Sequence, residues 1–132
     1  MGLRISSALL ARLLVEARAT PTVEVCGLLF GTDGHIASAE PCINVAADPA
    51  RTFEIDPIAL FAAHRRARSG GPAVIGHYHS HPSGRPEPSA TDAASAMGDW
   101  AAWLILAGEE ALAWRTVRVG AFEPLPLITT GR

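Results

Sequence analysis

The stretch GHYHSHPSGRPEPSATD, residues 76–92, decides how this chain is organised. It holds three of the five histidines, which alternate along what its apolar approach predicts to be the end of a β-strand. Because successive side chains of a strand point to opposite faces, we expect His79 and His81 to project the same way. Two imidazoles placed like this can converge on one metal ion.

A loop and the start of a helix follow the histidines. Pro82 and the glycine and prolines after it force a loop, and Ser89 is typical of a helix N-cap, with Asp92 in the first turn. The loop would let the Asp92 carboxylate fold back onto the two imidazoles. Two nitrogen ligands, one oxygen ligand and a free fourth position are typical of a catalytic zinc site. Ser89 and Asp92 also fit an ordinary capping box, which is compatible with a ligand role.

Length and composition limit the class of protein. A chain of 132 residues, 48 % hydrophobic, predicts one domain over residues 1–132. Two cysteines are too few for a disulfide scaffold, and neither a membrane-length apolar run nor a signal peptide is evident. We therefore expect a cytoplasmic protein that does not act at a membrane. With a net charge of −2 and no lysine, nucleic-acid binding is not expected either.

The hydrophobic pattern predicts an α+β fold, with a mixed, mostly antiparallel sheet flanked by helices. The predicted elements are, in order, a helix over 3–19, a strand over 24–31, a return strand over 35–45, a helix over 57–69, a strand over 73–80, a helix from 89 to about 98, and a hairpin of 100–107 with 111–119. The proline-containing tail has room for one more short edge strand.

A metal-activated water needs a neighbouring carboxylate to accept its proton and pass it to the leaving group. Spacing alone does not distinguish Glu24 from Glu16, Glu40 or Glu54 in this role. His77 shares the predicted strand face with the other two histidines. It lies about 13 Å along the strand from His81, at ~3.3 Å per residue, so we expect it to pack rather than to bind the ion.

The motif H-S-H-P, followed after residues 82–88 by S-x-x-D, resembles the signature of the JAMM (MPN-type) zinc metallopeptidases. Upstream, EVCGLLFG at residues 24–31 is similar to that family's first motif, and the blocks at 44–46 and 53–57 resemble its short bacterial members. The resemblance extends over nearly the whole chain. It implies an MPN-type, cytidine-deaminase-like fold and a short prokaryotic single-domain member.

The resemblance also implies roles for individual residues. His79, His81 and Asp92 would bind one Zn²⁺ whose water is the nucleophile, Glu24 would be the general acid/base, and Ser89 would stabilise the oxyanion. The implied reaction is cleavage of a peptide or isopeptide bond after the C-terminal diglycine tail of a ubiquitin-like or sulfur-carrier β-grasp protein. The loop over 82–88 lacks the tryptophan typical of the eukaryotic deubiquitinases in this family.

Two other functions remain open at this point. One is a non-catalytic MPN-type scaffold that binds a ubiquitin-like protein, and the intact ligand set argues against it. The other is a histidine-triad nucleotide hydrolase. That motif needs apolar residues where Ser80 and Pro82 stand. Sensitivity to a chelator discriminates between a zinc enzyme and a histidine-triad enzyme.

Overall fold

The computed structural model describes residues 2–131, which form eight strands and three helices. The helices are α1 (Ser7–Ala19), α2 (Pro57–Arg68) and α3 (Ala90–Ser95). The strands are β1 (Leu3–Ser6), β2 (Cys26–Thr32), β3 (His35–Cys42), β4 (Ala73–Ser80), β5 (Ala102–Ala107), β6 (Glu110–Arg118), β7 (Ala121–Leu125) and β8 (Leu127–Thr130).

All eight strands belong to one mixed sheet in the order β7-β6-β5-β4-β2-β3-β1-β8. The β2–β3, β2–β4, β5–β6 and β6–β7 pairs are antiparallel, while β1–β3, β1–β8 and β4–β5 are parallel. The α+β fold with a mostly antiparallel sheet and flanking helices is therefore confirmed. The histidine-bearing strand β4 lies in the middle of the sheet, where both neighbours restrain it.

The two edges of the sheet meet at Pro126. β7 and β8 stand at opposite ends of the strand order, yet this single residue separates them in the chain. Leu125 pairs with Ala113 of β6, while the carbonyl of Pro126 accepts a hydrogen bond of 2.8 Å from the backbone N–H of Leu3 on β1. The sheet must therefore curl strongly to bring its edges together.

Apolar side chains cover both faces of the sheet. Leu13 of α1 is fully buried on one face, together with Tyr78 of β4 and Leu104 of β5. On the other face, Ala63 of α2 packs near Leu28 of β2. Because side chains alternate along a strand, His77 and His79 point away from the α1 face that Tyr78 occupies.

The prediction of a helix over 3–19 is wrong at its beginning. Leu3 and Ile5 are buried and alternate with more exposed residues, and this segment pairs with β3 and β8 as a strand. The helix starts at Ser7, after Ser6 has capped it by accepting from the Leu9 N–H at 3.1 Å. Strand β1 depends on pairing with residues far along the chain, which local periodicity does not reveal.

Other boundaries follow the sequence more closely. Asp56 caps α2 as expected by accepting from the Ile58 N–H at 3.0 Å, with Pro57 in the first turn. The β5–β6 hairpin is confirmed. β3 ends at Cys42, and α3 ends at Ser95, both earlier than predicted. None of the helices within residues 2–131 has the length and apolar character needed to cross a membrane.

Candidate metal centre

The end of β4 brings two histidine rings together. His79 is the second-last residue of the strand, and His81 follows just beyond its end. The Ser80 N–H donates to the Val25 carbonyl at 3.0 Å, and the His81 N–H donates to the Leu106 carbonyl at 2.8 Å. With the backbone held on both sides, the two Nε2 atoms lie 3.1 Å apart. The expectation that both imidazoles project the same way is met.

The start of α3 adds a carboxylate to the pair. Ser89 and Asp92 form a capping box: the Asp92 N–H donates to Ser89 Oγ, and the Ser89 N–H donates to Asp92 Oδ2, both at 3.0 Å. The same Oδ2 lies 3.2 Å from His79 Nε2 and 3.1 Å from His81 Nε2. The capping role and the convergence on the histidines therefore occur together, and the cap fixes the carboxylate in place.

These three atoms fit the requirements of a metal ion. Ligand atoms 2.0–2.1 Å from a tetrahedral ion lie about 3.3 Å from one another, close to the observed edges of 3.1–3.2 Å. His81 Nδ1 lies 2.7 Å from the Arg85 carbonyl, to which it donates its proton, so Nε2 keeps its lone pair for a metal. Burial acts to raise the pKa of Asp92, but hydrogen bonds with both histidines outweigh it and lower that pKa, which keeps the carboxylate charged.

Glu24 approaches the same point from the segment just before β2. The antiparallel β2–β4 register sets Cys26 opposite His79, and continuing it by two residues places Glu24 opposite His81. One ligand-type atom from each of Glu24, His79 and His81 lies within 4.8 Å of the others. Because Asp92 contacts both rings at hydrogen-bond distance, it joins them in a compact set of candidate ligands. Glu24 faces that set as a candidate base.

The environment of Glu24 suits proton transfer. Its side chain is 5 % exposed, and within residues 2–131 its buried Oε1 has no hydrogen-bond partner. Burial raises the pKa of Glu24 from 4.5 to about 7, with His81 opposing the shift and Asp92 adding to it. A carboxyl with a pKa near neutrality can both accept and return a proton.

This pKa shift predicts a pH-dependent gain in stability from Glu24→Gln in chelator-treated protein. A carboxyl whose pKa is higher in the folded than in the unfolded state destabilises the fold as it ionises, from about pH 4.5 to about pH 7. We expect Glu24→Gln to raise the free energy of unfolding at pH 8 by up to about 3 kcal/mol and to have little effect at pH 4. Urea unfolding at both pH values measures this.

Glu54→Gln is the matched control, because it makes the same change at an exposed side chain. We expect the control to change stability equally at both pH values. If Glu24→Gln gave no more stability at pH 8 than at pH 4, the Glu24 carboxyl would not be desolvated in the way described.

A cleft of about 240 Å³ opens beside these groups, and Glu24, His81 and Ser89 line it. Ser89 Oγ accepts the Asp92 N–H, which leaves its own hydroxyl proton free to donate to a group in the cleft. The other residues that line the cleft are Ala50, Arg51, Pro82, Ser83 and Gly84. A larger cavity of about 540 Å³ lies towards the start of β4 and is lined by His77, but not by any of the five candidate residues.

His77 packs against neighbouring rings, as the sequence led us to expect, and Cys26 also lies in the interior. The His77 ring lies 4.4 Å from that of Trp103, and burial lowers its pKa to about 3, which keeps it neutral. Cys26 is fully buried, and burial raises the pKa of its thiol to about 12. A thiol in that environment is not an activated nucleophile.

Two residues near the site escaped the sequence analysis. The Phe53 ring stacks on that of His79, with centroids 4.2 Å apart and an interplanar angle of 20°. Asn44 donates from Nδ2 to the Glu24 carbonyl at 2.9 Å. Both belong to the blocks whose resemblance to bacterial family members was noted. That resemblance was the available signal, since neither contact is local in sequence.

The chain is similar in sequence to proteins that are already known. The model of the family described as prokaryotic homologs of the JAB domain matches residues 6–118. A desampylase of Haloferax volcanii is 42 % identical over 78 residues, which cover 58 % of this chain and 56 % of that protein. A desampylase of Pyrococcus furiosus is 32 % identical over 96 residues, which cover 72 % of this chain and 67 % of that protein. The match to the first of these relatives therefore spans little more than half of its length.

The fold is also shared with a protein of known structure. The solution structure of a protein from Desulfitobacterium hafniense has a TM-score of 0.83 to this chain, with 24 % sequence identity. The alignment covers 98 % of this chain and 94 % of that one. At this level of identity, the similarity establishes the fold.

Proposed function

Since the chain belongs to the family of prokaryotic homologs of the JAB domain, we propose that it is a JAMM-type zinc hydrolase. In this proposal residues 1–132 make up one catalytic domain. It cleaves a peptide or isopeptide bond after the C-terminal diglycine tail of a ubiquitin-like or sulfur-carrier protein. The observation that carries the proposal is the convergence of His79, His81 and Asp92 within 3.2 Å, beside the buried carboxyl of Glu24.

The donor set suits zinc. Two imidazole nitrogens and one carboxylate oxygen, from His79, His81 and Asp92, are common ligands of catalytic zinc. When bound, zinc supplies Lewis-acid chemistry, which favours hydroxide over water at neutral pH and polarises a carbonyl. The His81–Arg85 hydrogen bond and the Ser89–Asp92 cap orient these ligands in advance.

The remaining residues move a proton and stabilise charge. Glu24 accepts the proton of the attacking water and passes it to the leaving amine, a shuttle for which a pKa near 7 is well matched. Ser89 donates its hydroxyl proton to the carbonyl oxygen of the scissile bond as that oxygen gains negative charge. Both groups line the same cleft, so one bound substrate can reach them together.

A ubiquitin-like substrate is supported by the relatives and by the cleft. Both relatives are named desampylase, and we take the modifier that such an enzyme removes to be ubiquitin-like. Here, Ala50, Ser83 and Gly84 give the cleft small walls that admit an extended chain without bulky side chains. A diglycine tail meets that requirement. The proposed partner is accordingly a β-grasp protein whose C-terminus enters this cleft.

The test is cleavage of a ubiquitin-like protein fused through its diglycine tail to a reporter. We expect zinc-loaded protein to release the reporter and chelated protein to be inactive until zinc is restored. A fusion with dialanine in place of diglycine is the control and should be cleaved far more slowly. Tight binding of the fusion by zinc-free protein, without cleavage in any metal state, would instead support the scaffold function and refute the proposal.

A further inference from the structure

The loop between β3 and α2, residues 43–56, forms one side of the candidate site. It contributes Ala50 and Arg51 to the cleft and places Phe53 against the ring of His79. Its ends are joined by backbone bonds, because the Val45 N–H donates to the Glu54 carbonyl at 2.9 Å. We call this segment the 43–56 loop.

Asn44 connects the 43–56 loop to the candidate base. Its Nδ2 donates to the carbonyls of Glu24 at 2.9 Å and Thr52 at 3.1 Å. Its Oδ1 accepts the N–H groups of Ala46 at 3.0 Å and Glu54 at 3.1 Å. These four bonds use both donors and both acceptor sites of the amide. A side chain with its full bonding capacity engaged is held in one orientation.

Glu24 depends on this loop for its backbone bonding. It lies two residues before β2 begins and therefore outside the regular ladder of that strand. Its N–H donates to the Pro49 carbonyl at 2.7 Å, and its carbonyl accepts from Asn44, so both partners come from the 43–56 loop. Because Glu24 Oε1 has no partner within the described chain, the place of the carboxyl depends on the backbone that carries it and on the packing around the buried side chain.

We propose that Asn44 is a positioning residue for Glu24. It holds the base opposite His81 and, through the Thr52 carbonyl, fixes the neighbouring Phe53 against His79. This inference rests on the proposed function, because it assigns to Asn44 an effect on proton transfer by Glu24. A displacement of the base of about 1 Å is sufficient to lower a rate by about 100-fold.

Asn44→Asp is the sharpest test, since aspartate keeps the shape and the acceptors but loses both N–H donors. Backbone bonds such as Val45 to Glu54 remain to hold the loop. In zinc-loaded protein assayed on the diglycine fusion, we expect kcat to fall about 10–100-fold, with KM changed less than about twofold and bound zinc unchanged. In chelated protein, we expect the Glu24 amide proton to exchange about tenfold faster by NMR.

Glu54→Gln is the matched control within the same loop, because its side chain is exposed and the bond to Asn44 uses its backbone N–H. It should leave kcat, zinc content and Glu24 amide exchange unchanged. If Asn44→Asp does not fold, the neutral variant Asn44→Ser, which is too short to reach the Glu24 carbonyl, is measured in the same way.

The positioning role would be overturned if Asn44→Asp left kcat unchanged although the Glu24 amide proton exchanged faster. It would also be overturned if that exchange were unchanged. Loss of zinc in proportion to kcat would overturn it too, because the loop would then support the metal rather than the base. If wild-type protein cleaved no diglycine fusion, the proposed function would fail. Exchange of the Glu24 amide proton, compared between wild type and Asn44→Asp, would still decide whether Asn44 fixes that residue.

Discussion

Glu24→Gln should lower kcat on the diglycine fusion by about 10²–10⁴-fold while the protein still binds one zinc per chain. Glutamine retains the size and most of the packing of the buried side chain but cannot accept a proton. The contacts among His79, His81 and Asp92 do not involve Glu24, so the ligands stay in place. Steady-state kinetics and elemental analysis of zinc on the same sample provide the measurement.

The control for this result is the pair of variants Glu40→Gln and Glu54→Gln. Glu40 forms a half-exposed ion pair with Arg66 at 2.9 Å, and Glu54 is exposed on the 43–56 loop. Neither should change kcat measurably. Full activity of Glu24→Gln, or an equal loss in either control, would remove Glu24 from its assigned role.

The choice of glutamate illustrates what the sequence leaves open. Spacing did not separate Glu24 from Glu16, Glu40 and Glu54, and the resemblance to a family was needed to choose. In three dimensions, Glu16 is on the α1 side of the sheet, where it accepts the Tyr78 hydroxyl at 2.8 Å. Glu24 reaches the histidines because of the β2–β4 register, in which the pair nearest the site, Cys26 and His79, is more than 50 residues apart in the chain. The local sequence pattern around Glu24 does not determine such a register.

The convergence of His79, His81 and Asp92 could be predicted because each part of its geometry is local. Alternation along one strand sets the direction of His79 and His81, and a capping box sets the position of Asp92 in the first turn of α3. Each rule acts over a few residues. The proline-containing loop between them then brings the two elements together.

The missed parts of the fold are those that depend on distant pairing. Strand β1 has apolar residues at Leu3 and Ile5. In the sequence, these two residues look like the first part of the helical pattern that follows them. What makes it a strand is its position between β3 and β8, and β8 comes from the last residues of the chain. Asn44 was overlooked for the same reason. An asparagine in a loop has many ordinary uses, and its partner Glu24 lies 20 residues away.

Asp92→Asn should abolish zinc retention and with it the activity. The asparagine oxygen can still accept the Ser89 N–H, so α3 keeps its cap and the fold should persist. The anionic oxygen that lies 3.1–3.2 Å from both imidazoles is lost, and a neutral amide is a poor zinc ligand. Loss of a direct ligand should exceed the 10–100-fold weakening of metal affinity that is typical when an outer hydrogen-bond partner is removed.

Asp33→Asn makes the same chemical change at a side chain that is 92 % exposed and lies towards the start of β4, away from the histidine pair. It should leave zinc content and cleavage at wild-type levels. Zinc is measured after dialysis against a weak chelator, and cleavage is measured before and after zinc is added back.

A fully active, zinc-free Asp92→Asn protein would contradict the ligand assignment. Wild-type activity that survived complete chelation would contradict the metal mechanism itself and favour a nucleophilic histidine instead, because a histidine-triad enzyme needs no metal. The two results differ because the variant removes one ligand, whereas chelation removes the ion that all three residues share.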